Sequence, residues 1–109
     1  MEDRTQKFAK DVIAFIKGLP KTTVNVELVK QLLRSSTSVG ANYIEANEAL
    51  SKKDFVMRVK ISRKEARESV YWLKLVEIKS PESMRIRGIL IEEAMQLVKI
   101  FNSIVEKAK

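Results

Sequence analysis

Apolar positions along the chain recur at helical rather than alternating spacing, and four segments stand out. Phe8, Val12, Phe15, Ile16 and Leu19 form a stripe at steps of one, three and four, which predicts a first helix from about Thr5 to Lys17, ended by Gly18 and Pro20. Leu28, Leu32, Val39, Tyr43, Ala46 and Leu50 form the core face of a second, from about Asn25 to Leu50, with Thr22, Thr23 and Asn25 as candidate N-caps. Ser51 followed by Asp54 resembles a capping box, with Asp in the place of Glu or Gln, and opens a third helix that continues to about Ile78. Ser80-Pro81-Glu82 supplies a cap, a proline at the first helical position and an acid in the first turn, so a fourth helix should run from Pro81 to near Lys107. Short connections favour antiparallel neighbours. The expectation is an all-α fold, an antiparallel up-and-down four-helix bundle, with residues 1–109 as one domain.

Inside the second helix the pattern changes character. Ser35, Ser36, Ser38, Gly40 and Ala41 are short side chains in a stretch that otherwise reads as a long amphipathic helix. Gly40 alone costs about 1 kcal/mol relative to Ala in a helix interior, and close approach of another helix would offset it. A second face of the same helix carries Gln31, Arg34, Ser38, Asn42, Glu45 and Ala49.

The apolar positions also exceed what one small core needs. In the third helix Phe55, Val59, Ala66, Val70 and Leu73 make one stripe, and Met57, Ile61, Trp72 and Leu75 make another on nearly the opposite side. The fourth helix has a central band of Ile86, Leu90, Ala94, Leu97, Phe101 and Ile104, widened by Ile89 and Ile100 on one flank and by Ile91, Val98 and Val105 on the other. A surface helix needs an apolar arc of only about 100°. Part of the surplus belongs to neighbouring helices of the same bundle; the rest predicts subunit contacts, with Met57, Ile61, Trp72 and Leu75 as the oligomer interface.

Charge narrows the partners. The chain has 21 Lys plus Arg against 14 Asp plus Glu, a net charge of +7, which favours an anionic partner. No apolar run approaches the roughly 20 residues of a membrane span, and the N-terminal MEDRTQKFAK has no signal-peptide core, so a cytoplasmic protein without membrane contact is expected. Cysteine and histidine are both absent. Their absence removes disulfides, thiol nucleophiles, the commonest general base and the commonest metal ligand, so no metal and no cofactor are expected.

The run RSSTSVGANYIEANEAL, with its Arg-Ser-x-x-Ser-x-x-x-Asn-x-x-Glu spacing, and the following KKDFVMRVKISRKEARESVYWLKL resemble the four-helix bundle family encoded in intervening sequences of bacterial 23S ribosomal RNA genes. The resemblance extends from Phe8 and Asp11 through Trp72 and Leu73. It implies an up-and-down bundle that assembles into a ring, in this family typically a homopentamer. More distantly the chain is similar to the accessory protein of diversity-generating retroelements, a basic pentameric bundle that binds nucleic acid and a reverse transcriptase.

Two constellations are candidates for function. Lys53, Lys60, Arg63, Lys64, Arg67 and Lys74 align with Tyr71 on one face of the third helix. Such a stripe pairs with successive phosphates and releases counterions, and the Tyr71 ring offers a surface for an unpaired base. The plainer reading is a solvated face with internal pairs such as Lys64 to Glu68. A ring would repeat the stripe and make it multivalent. The second constellation is Arg34, Ser38, Asn42 and Glu45, read as a buried or interfacial polar network that fixes helix register. No nucleophile completes an active site there, and no catalytic residue is assigned. Glu45 and Glu48, with Glu65, Glu68, Glu92 and Glu93 as the other helix-borne acids, lack a histidine to complete a di-metal site. The leading expectation is a non-enzymatic, ring-forming nucleic-acid-binding protein, with RNA as partner. The other is a protein-interaction scaffold that docks a partner enzyme, and an enzyme comes third.

Overall fold

Helical periodicity dictates the architecture of the computed structural model, which describes residues 1–109. It contains four α-helices: α1 (Glu2–Lys17), α2 (Thr23–Asn47), α3 (Lys52–Leu75) and α4 (Pro81–Ala108). Side-chain caps set three of the starts. Thr22 accepts from the Asn25 N–H at 3.1 Å, Ser51 from Asp54 at 3.1 Å and Ser80 from Ser83 at 3.0 Å, each satisfying a donor that a helix leaves orphaned at its first turn. Thr22 is therefore the cap of α2 among the three candidates.

The order of the helices follows from their contacts. Each helix packs on two neighbours, α1 on α2 and α4 and α3 on α2 and α4, while across the α2–α4 diagonal the long side chains of Tyr43 and Phe101 meet with ring centroids 6.1 Å apart. Along α2 and α3, Ser35 meets Ser69, Val39 meets Ser62 and Asn42 meets Arg58, so numbers rise on one as they fall on the other. Asn47 bonds Glu2 across α1 and α2, and Arg4 bonds Glu93 across α1 and α4; Gly18 lies beside Ser83 at the other end of that pair. All four packed pairs are thus antiparallel, in a rod of 45 × 21 × 20 Å.

Phe8, Leu32, Val39, Leu73, Leu97 and Phe101 fill the core. Val98 and Val105, on the flank of α4, are buried too, so part of the apolar surplus is used by the bundle itself. Leu50 departs from expectation. α2 ends at Asn47, Leu50 falls in the turn before α3, and its side chain is 99% exposed. Val76 to Ser80 likewise form a connection rather than a continuation of α3.

The small residues of α2 do bring helices together. A methyl group added at Gly40 would lie 2.9 Å from Thr5 Oγ1 and 3.2 Å from Thr5 Cβ, so α1 crosses α2 at a distance that only glycine permits. Between α2 and α3, Ser35, Ser62 and Ser69 are wholly buried, as is Ser36, whose hydroxyl donates to the Leu33 carbonyl at 3.3 Å within α2. Ser35 and Ser69 share a hydrogen bond of 2.9 Å, and Ser62 donates to the Val39 carbonyl at 2.9 Å. These hydroxyls satisfy one another and the backbone, which is the condition for burying them.

Candidate nucleic-acid interface

α3 carries eight Lys and Arg against three acids, a net +5 of the chain's +7. The three acids are Asp54, in the first turn, and Glu65 and Glu68. What those two glutamates do decides whether the cations are free.

Arg34, reaching from α2, holds both. Its Nη1 donates to each oxygen of Glu65 at 3.3 Å, and its Nη2 donates to Glu68. Glu65 is buried, and that burial, reinforced by the neighbouring Glu68, pushes its carboxyl above the ordinary value against the opposing charge of Arg34. At Glu68 burial acts in the same direction, but its bonds with Glu65 and Arg34 and the charges of Arg34 and Lys64 outweigh it, and the carboxyl lies below the ordinary value. The pairing of Lys64 with Glu68 is not made. None of Lys53, Lys60, Arg63, Lys64, Arg67 and Lys74 has an ion-pair partner, whereas Arg4, Lys7, Lys30, Arg85 and Lys109 each do.

Five of the six stripe cations, Lys53, Lys60, Lys64, Arg67 and Lys74, project into solvent. Arg63 differs. It is half-buried and donates to Asn102 Oδ1 of α4 at 2.8 Å, so it ties α3 to α4. Tyr71 is 58% exposed and meets Trp72 edge to face, with ring centroids 5.0 Å apart.

Of the polar set on α2, Arg34 and Asn42 bridge to α3. Asn42 accepts from Arg58 at 3.1 Å and donates to the Ser38 carbonyl at 2.9 Å. The Ser38 hydroxyl bonds only the carbonyl of Arg34, one turn back. The expectation that this set is buried fails at two positions. The Arg34 side chain is 46% exposed, and Glu45 is exposed and its carboxylate makes no hydrogen bond, although it lines a groove with Asp54, Met57 and Arg58 of α3. The buried polar seam is instead Ser35, Ser62, Ser69 and Glu65. The recurrence of small residues at 62 and 69, seven apart and opposite Ser35, is the sequence signal that marks it.

Met57 and Leu75 are exposed, Met57 at 51%. Ile61 is half-buried. Trp72 is not an outward-facing ring: it packs against the edge of the core, and its Nε1 is enclosed without an acceptor. Exposed apolar side chains also appear at Val26, Leu33 and Ile44 of α2 and Ile89 of α4. No three Asp or Glu side chains converge as a metal site, and no helix is long and apolar enough to cross a membrane.

The fold and this surface define a class: a four-helix bundle with one basic, uncompensated helix face. Residues 2–103 match the family of the 23S rRNA-intervening sequence protein, and the chain belongs to that family. It is also similar to a protein of unknown function from the S23 ribosomal protein family of Bacteroides thetaiotaomicron, solved by crystallography at 1.70 Å. That protein is 33% identical, with a TM-score of 0.83 over 95% of this chain and 96% of the other. No curated relative matches.

Proposed function

We propose that the protein is a non-enzymatic nucleic-acid-binding bundle that works as a homo-oligomeric ring and contacts phosphates through α3. One observation carries this reading: α3 holds five of the seven net charges, and none of its cations has an ion-pair partner within the chain, Arg34 being the residue that occupies Glu65 and Glu68. Unpaired Lys and Arg at intervals of three, four and seven along a straight helix exchange condensed counterions for contacts with phosphates, giving affinity that is largely independent of sequence. Lys53 to Lys74 spans about 30 Å of helix at 1.5 Å per residue. Tyr71, exposed within the stripe, adds a stacking surface for unpaired bases. RNA is the favoured ligand, since the family's name ties it to intervening sequences of 23S rRNA.

Gel-shift titrations with RNA, single-stranded DNA and duplex DNA at two salt concentrations test the reading. The native protein should bind, with affinity falling as a steep power of salt. Lys60→Glu, Lys64→Glu and Arg67→Glu together should abolish binding with helicity and mass unchanged. Lack of binding to all three ligands at low salt would sink the proposal and leave α3 as a docking face for an acidic protein partner.

A further inference from the structure

We infer that Arg34 is a positioning residue for the α3 surface, one that acts by drawing two carboxylates away from it without touching the ligand. The inference rests on the nucleic-acid reading above. Glu65 and Glu68 are the only acids of α3 beyond its first turn. Glu68 lies one turn from Lys64 and one turn from Tyr71, so it borders the basic stripe. An unrestrained carboxylate there would pair with Lys64 and would face any phosphate on the stripe within a screening length of about 10 Å at 0.1 M salt.

Arg34 prevents both. It approaches from the other helix, its two nitrogens take one carboxylate each, and the planar guanidinium fork suits that double role in a way a lysine does not. The outcome is an electrostatic division of α3, with its negative charge tied toward α2 and its positive charge left toward solvent. Because Glu65 is buried and Arg34 is half-exposed, the arrangement is anchored on α3 and closed from α2.

The test is a double-mutant cycle read by affinity and salt slope for a single-stranded oligonucleotide. Arg34→Met should weaken binding about tenfold and reduce the salt slope by about one phosphate contact, as Glu68 captures Lys64. Arg34→Met with Glu68→Gln should recover most of the affinity, and Glu68→Gln alone should bind no worse than the native chain. Lys30→Met, which removes the same charge from the exposed side of α2, should change little. A parallel series in a Glu65→Gln background keeps the buried position filled and uncharged, so loss of folding does not stand in for loss of binding. If Arg34→Met binds like Lys30→Met, or if Glu68→Gln gives no recovery in either background, the inference is wrong. Absence of binding by the native chain would overturn both this inference and the function it rests on. Native binding that the triple glutamate variant abolishes, with Arg34→Met unaffected, would overturn this one alone.

Discussion

Two glycines sit inside helices of this bundle, and the space around each differs. Gly88 has nothing within 4 Å of where a methyl group would be, whereas Gly40 faces the buried Thr5, whose hydroxyl donates to the Glu2 carbonyl and would give up that bond on moving aside. Gly88→Ala should therefore stabilise the protein by about 1 kcal/mol, the ordinary gain in helix propensity. Gly40→Ala makes the same gain but overfills the α1–α2 contact, which costs about 1 to 3 kcal/mol, and the net change should be destabilising. Urea unfolding of the two variants checks the opposite signs; equal stabilisation by both would mean that α1 does not approach α2 this closely. That glycine was legible in the sequence as the mark of a close contact. Its partner was not, because nothing in a helical repeat says which turn of α1 crosses which turn of α2.

At the scale of elements, periodicity located all four helices and the direction of each core face, and the cap residues fixed the starts of α3 and α4, whereas α2 begins at Thr23, two residues before the expected Asn25. The ends were harder. Leu50 continues the apolar repeat of α2 by number, yet the helix stops at Asn47, and a single repeat position does not reveal where hydrogen bonding ends. The stripe on α3 was legible from spacing, but its freedom from pairing depends on Arg34 of another helix, which spacing cannot show. Asn25 shows the same limit. It reads as a cap for α2, yet it is 1% exposed and fastens two loops: its Nδ2 donates to the carbonyls of Pro20 at 2.9 Å and Glu77 at 3.0 Å, and its Oδ1 accepts from the Glu77 N–H at 2.8 Å. Asn25→Ala would remove three hydrogen bonds to part-buried backbone groups, each contributing about 1 kcal/mol because water replaces part of what is lost. A loss of roughly 2 to 4 kcal/mol is expected, with faster exchange of the Glu77 amide; a loss below about 0.5 kcal/mol would show the clamp to be dispensable.

For the whole molecule, the remaining exposed apolar residues argue for assembly. Met57 and Leu75 flank the basic face, and Val26, Leu33 and Ile44 lie along α2. Light scattering at micromolar concentration should give a mass several times 12.5 kDa, and Met57→Glu with Leu75→Glu should lower it while helicity is kept. A native mass of one chain would remove the ring from the proposal. The Asn25 clamp also gives the rod a polarity of motion. The α1–α2 and α3–α4 connections are cross-linked at one end, whereas the opposite end, with both termini and the α2–α3 turn, is joined between α1 and α2 by the exposed Asn47–Glu2 bond. Local opening should therefore begin at the unclamped end and travel toward the clamp, with Lys52 and Lys53 the first cations of α3 to change their spacing and Lys74 the last, an order that amide hydrogen exchange along α3 checks.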